Sequence, residues 1–75
     1  MPNRSQEENE AIILDVLRKA GEIGLDVDQI RRALFGDGEQ SKSLTKKLLE
    51  RLKTRGHIRV KMGRLGPMYL ITPGH

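Results

Sequence analysis

Cationic side chains are concentrated in the second half of the sequence, where they could bind phosphate groups. Lysine and arginine neutralise phosphate charge and donate hydrogen bonds to its oxygens. Residues 1–40 contain five Lys/Arg and nine Asp/Glu, whereas residues 41–75 contain nine Lys/Arg and one acid, so the two halves carry formal charges of −4 and +8. This asymmetry predicts a surface for a polyanion, with nucleic acid as the first candidate and an anionic membrane as the second.

Eight side chains are candidate contacts for a nucleic acid. Five lie in a segment with helical spacing, where lysines could neutralise phosphates or reach guanine, and a serine hydroxyl could bond a phosphate or a base edge. Arg59 and Lys61 lie in the alternating segment that follows, and Arg64 lies in the turn after it. The candidates are Lys42, Ser43, Lys46, Lys47, Arg51, Arg59, Lys61 and Arg64.

The sequence shows none of the residue spacings that catalysis and metal binding require. The sequence has no Cys and two His, which excludes a cysteine nucleophile, a disulfide framework and a thiolate zinc site. Gly36-Asp37-Gly38 is typical of a turn and not of a phosphate-binding loop. We therefore expect no enzyme activity, no cofactor, no metal and no small-molecule ligand.

The composition also predicts where the protein is found. No apolar run approaches the roughly 18 residues of a membrane span. The N-terminal residues MPNRSQEENE are acidic, whereas a signal peptide is basic and then apolar. We expect an intracellular protein, in the cytoplasm and nucleoid or in the nucleus, with no membrane partner.

Capping patterns predict the first two helices. Ser5 with Glu8, and Asp26 with Gln29, have the spacing of capping boxes. The first helix should end at Gly21, and the second at the turn of residues 36–38. The first helix should bury a stripe formed by Ala11, Ile12, Leu14, Val16, Leu17 and Ala20.

A third helix is predicted over about residues 42–55, with Ser41 or Ser43 as its cap. Leu44, Leu48 and Leu52 follow each other at intervals of four and should face the core. Leu49 should lie on the edge of that face, and Gly56 should end the helix. Ser43 therefore has two interpretations, because a helix cap is at least as good a role for it as a DNA contact.

After Gly56 the apolar residues alternate with polar ones, as they do in a half-buried strand. Residues 63–67 form a turn and residues 68–72 a second strand, so about 57–72 should be an antiparallel hairpin. Leu25 is placed to pair with a later strand, and Tyr69 to pack beneath the third helix. The chain is thus predicted to be one α+β domain, mostly α, over residues 1–75, with about 5–72 ordered and the order α-β-α-α-β-β.

This order, with the pattern Leu48-x-x-x-Leu52-x-x-x-Gly56-x-Ile58, resembles the winged helix-turn-helix superfamily over roughly residues 6–72. The resemblance implies three helices with a C-terminal hairpin, or wing. It further implies double-stranded DNA binding, with the third helix in the major groove and the wing on the backbone. A transcriptional regulator or a replication accessory protein is the expected role.

A subset of winged helices that binds Z-form nucleic acid is similar in its proline before an aromatic residue, here Pro67 and Tyr69. This chain retains the subset's first lysine as Lys42. It has Lys46 and Glu50 where asparagine and tyrosine are expected, and Tyr69 where tryptophan is expected. Z-form binding and double-stranded RNA binding are therefore alternatives to ordinary duplex DNA.

A different class of function is a protein-interaction module. The acidic first helix could dock a basic partner or pair with a second copy of the chain. Ile13 lies outside the predicted apolar stripe, and an exposed aliphatic residue there would favour a homodimer, although a wide core face would absorb it equally well.

Overall fold

The structure is a computed structural model that describes residues 5–36 and 42–73. In these residues three α-helices precede a two-stranded antiparallel sheet, and most of the described chain is helical, which confirms the α+β class. The elements are α1 (Gln6–Ala20), a 3₁₀ turn (Gly21–Ile23), α2 (Val27–Phe35), α3 (Lys42–Thr54), β1 (Ile58–Gly63) and β2 (Gly66–Ile71).

Both predicted caps are present. Ser5 Oγ accepts a hydrogen bond from the Glu8 amide at 3.1 Å. The Asp26 box is reciprocal, because Asp26 Oδ1 accepts from the Gln29 amide at 2.8 Å and Gln29 Oε1 accepts from the Asp26 amide at 3.1 Å. Gly36 ends α2 as predicted, while the other predicted turn residues, Asp37 and Gly38, and the predicted cap Ser41 lie outside the described residues.

The three helices meet around an aliphatic core that also includes the start of β1. Ile13 is fully buried, although the sequence pattern placed it outside the stripe of α1, whereas Ala11 is exposed. The face of α1 is broad because α2, α3 and β2 all pack against it. The buried residues of the core are Ile13, Leu17, Ile30, Leu34, Leu48, Leu49, Leu52 and Ile58.

The hairpin is attached to the helices by the predicted contact at Leu25. Its amide donates to the Tyr69 carbonyl at 2.9 Å, and the Tyr69 amide donates to the Leu25 carbonyl at 2.7 Å. Gly24 permits this approach, since its φ is +74° and a Cβ there would lie 2.8 Å from the Tyr69 carbonyl oxygen. The single extended pairing of Leu25 is the first β element of the predicted order.

The strands reach closer to the turn than the sequence suggested. They pair from Ile58 opposite Ile71 to Gly63 opposite Gly66, so only Arg64 and Leu65 remain in the turn. The sequence predicted a five-residue turn over 63–67. Gly66 allows the shorter one because it adopts a φ of +126°, which favours glycine.

Candidate nucleic-acid interface

Helix α3 presents a polar, cationic side to solvent. Its buried residues lie on one side of the helix, so the residues on the opposite side are displayed together. Ser43 is the second residue of α3 and is exposed, so it stands inside the helix and not at its cap. The exposed residues of this side are Ser43, Lys46, Lys47, Glu50 and Thr54, with Lys42 and Lys53 along one edge.

The buried face of α3 differs from the predicted one. Leu44 was expected in the core, but it is 45% exposed, whereas Leu49 is 1% exposed and Thr45 is fully buried. At 3.6 residues per turn, the centre of the buried face lies about 50° from the centre of the predicted leucine stripe. Thr45 can occupy the core because a threonine hydroxyl in a helix can bond a carbonyl of the preceding turn.

The start of α3 and the hairpin line a common groove. Lys42 and Lys46 face Leu65 and Pro67 across a volume of about 260 Å³. The first residues of α2 and its cap complete the groove, and they include the carboxylates of Asp26 and Asp28. Two of the predicted contacts thus lie beside the hairpin turn, which carries a third, the exposed Arg64.

The two predicted contacts in β1 lie on the other face of the hairpin. Residues directly opposite each other in an antiparallel pair share a face. Arg59 is opposite Leu70 and Lys61 is opposite Met68, while the neighbouring face carries Tyr69 and Pro67. Pro67 is on the face that lines the groove with α3, so Arg59 and Lys61 point away from that groove.

Arg51 is turned towards α1. With the Gln6 amide in the orientation that satisfies both groups, the Gln6 side-chain oxygen accepts from Arg51 Nη1 and Nη2, each at 2.8 Å. Arg51 and Lys47 line a cavity of about 300 Å³ between α1 and α3, together with the partly exposed Leu44. Arg51 therefore lies at the edge of the cationic side and not at its centre.

An ion pair connects the end of α3 to α1. Arg55 Nη1 donates to Glu10 Oε1 at 3.0 Å, and Glu10 is buried. The two residues are 45 positions apart, so no local pattern indicated the pair. Arg55 is thereby engaged within the fold.

Tyr69 was expected to pack beneath α3, and it is partly buried against the hydrophobic core. Burial raises the pKa of the Tyr69 hydroxyl above its ordinary value of 10.0, and the negative charge of Glu50 raises it further. Glu50 is an exposed residue of α3. An acid therefore stands among the lysines of this surface.

Ionisation of Tyr69 is expected to report this arrangement. The folded-state pKa is raised, so the contribution of Tyr69 to stability is complete below pH 10 and is lost as pH rises through the folded-state pKa. Ultraviolet titration is direct, because Tyr69 is the one tyrosine and the chain has no tryptophan. Glu50→Gln should lower the midpoint without restoring the ordinary value, since burial is the larger cause. An unchanged midpoint in Glu50→Gln would contradict the proximity of the two side chains.

Across residues 5–36 and 42–73, no group of three His, Asp or Glu side chains is arranged to hold a metal ion. Within the same ranges, none of the helices has the length and apolar character to cross a membrane.

Comparison with known proteins gave no match: no family model fits the sequence, and no curated protein or solved structure is significantly similar to the chain.

Proposed function

We propose that the chain is a winged-helix domain that binds double-stranded DNA, with α3 in the major groove and the hairpin as a wing on the adjacent backbone. The observation that carries this proposal is the groove shared by Lys42, Lys46 and the hairpin residues Leu65 and Pro67. It joins the cationic side of α3 to the hairpin turn, so a single duplex could contact both.

The dimensions and chemistry of α3 suit this role. A helix fits the major groove of B-form DNA, which is about 12 Å wide. Ser43, Lys46 and Lys47 are exposed on the side that would enter it. Glu50 repels phosphate but accepts a hydrogen bond from the amino group of cytosine, so it favours an orientation in which base edges, and not the backbone, face the middle of α3.

The geometry divides the predicted contacts into two groups. Lys42, Ser43, Lys46, Lys47 and Arg64 surround the groove or the exposed side of α3, and we assign them to direct contacts. Arg51 faces α1, and the two cations of β1 face away from the groove, so these three contribute mainly to the long-range field that attracts DNA. The proposed activity is binding alone, as in a transcriptional regulator or a replication accessory protein.

A fluorescence-anisotropy titration with random-sequence duplex DNA at about 50 and 200 mM salt tests the proposal. Each neutralised phosphate lowers log affinity by about 0.9 per tenfold rise in salt, so four contacts should weaken binding by on the order of 10²-fold over this range. An RNA duplex of equal length is the control. Absence of binding at the lower salt, or tighter binding to the RNA, would contradict the proposal.

A further inference from the structure

Arg31 of α2 is a buried cation whose hydrogen-bonding groups are largely unused. The residue is 5% exposed. Its Nη2 lies 3.7 Å from Asp28 Oδ1, beyond hydrogen-bond distance. Its Nε and Nη1 are buried and, within the described residues, have no hydrogen-bond partner. A guanidinium has five N–H donors, so most of the donors of Arg31 are available for further hydrogen bonds.

Such a group is costly to keep in a folded protein. Removing a charge from water carries a large free-energy penalty that only a close counter-charge with good hydrogen bonds offsets. Arginine cannot relieve the penalty by losing its proton, because guanidinium remains protonated in proteins. Asp28 is itself mostly exposed and supplies one distant contact. The environment of Arg31 is therefore suited to a further anion.

The space for an anion lies beside Arg31. A polar cavity of about 300 Å³ is lined by Arg31, Arg32, Lys42 and Asp28. Three cations thus face one acid, and the cavity is several times larger than a phosphate group. Lys42 is the first residue of α3, so the positive end of the α3 dipole adds to the local field.

We propose that this cavity binds a phosphate group, with Arg31 and Arg32 of α2 and Lys42 of α3 as its donors. The phosphate is either a free ion or part of a nucleic-acid backbone. Lys42 and Asp28 line both this cavity and the groove beside the hairpin, so a bound strand could continue from one to the other. The backbone assignment rests on the proposed function, whereas phosphate binding does not.

Inorganic phosphate, compared with sodium chloride at equal ionic strength, tests the site directly. In the wild-type protein, phosphate should shift the Nε–Hε resonance of Arg31 in a saturable way. It should also raise the Tm by several degrees, with a rise that grows as the logarithm of the phosphate concentration above the Kd. Arg32→Gln, an exposed position, should weaken both effects, and Arg31→Met should remove the rise in Tm. Arg18→Gln on α1 is the matched control and should behave as wild type.

The same variants separate the two sources of phosphate. If the nucleic-acid backbone occupies the cavity, Arg32→Gln should remove about one phosphate contact and so reduce the slope of log affinity against log salt concentration by about 0.9. Arg18→Gln should leave this slope unchanged. An unchanged slope, with the phosphate effects intact in wild type, supports a site for free phosphate and removes the backbone assignment. Phosphate binding without any DNA binding would refute the proposed function and support the site.

Acids of the same chain are the competing partners of Arg31. Asp37 and Glu39 lie between α2 and α3 in sequence, outside the described residues. If phosphate changes neither the Nε–Hε resonance of Arg31 nor the Tm of the wild-type protein, the proposal is overturned. A response that appears only in Asp37→Asn with Glu39→Gln would also overturn it, because it would show that the chain neutralises Arg31 itself.

Discussion

Reversing two charges at the start of α3 should abolish most DNA binding. Lys42→Glu combined with Lys46→Glu removes two proposed phosphate contacts from the groove beside the hairpin. Each contact changes log affinity by about 0.9 per tenfold change in salt, so between about 1 M and 50 mM salt the two contacts account for on the order of 10²-fold in affinity. The new carboxylates add repulsion of the phosphates. Anisotropy titration at about 50 mM salt measures the loss.

The control must change the net charge equally without touching the proposed surface. Arg18→Glu with Lys19→Glu alters two exposed residues in the last turn of α1, and either double substitution takes the formal charge from +4 to zero. A much smaller loss in the α1 variant supports a local contact. Equal losses in both variants would show that net charge alone governs binding, and would remove α3 from the interface.

The second large effect concerns which side of α3 is buried. Leu49→Ala should destabilise the fold by about 2–5 kcal/mol, because Leu49 is 1% exposed and its loss leaves a cavity among α1, α2 and α3. A domain of this size has a stability of about 4–11 kcal/mol, so the variant should be close to unfolding. Thermal or denaturant unfolding followed by circular dichroism measures the change.

Leu44→Ala is the matched substitution on the same helix. Leu44 is 45% exposed, and alanine is the better helix former, so its cost should be within about 1 kcal/mol. A larger loss for Leu44→Ala than for Leu49→Ala would show that the leucine stripe read from the sequence, and not the face found in the structure, is the one in the core.

The comparison of α3 with α2 shows what a sequence pattern can and cannot establish. The Asp26 cap depends on atoms three residues apart, so its geometry is decided locally and was predictable. The buried face of α3 depends on the shapes of α1, α2 and β1 against it. A periodic pattern locates such a face only to within about one residue position. The pattern therefore placed Leu44 in the core, whereas the structure buries Leu49 and Thr45.

The sequence identified the elements of the candidate interface but not which of their faces meet. Charge segregation identified α3 and the hairpin, and the structure brings Lys42 and Lys46 next to the hairpin turn. Alternation placed Arg59 and Lys61 on an exposed face, but the face of the hairpin that meets α3 is decided by tertiary packing. Arg31 gave no signal at all, because an arginine in a helix is ordinarily solvated and only its burial distinguishes it.

The Leu25 pairing has a mechanical consequence for the hairpin. The two hydrogen bonds hold the sheet at Tyr69, whereas Leu65 at the tip is 97% exposed. Leu65 is four positions from Tyr69 in the sequence, which gives a lever arm of about 13 Å at 3.3 Å per residue. A pivot of about 10° at Tyr69 would carry the tip by about 2 Å, so the tip could follow duplexes of different groove width while the helical core keeps its packing.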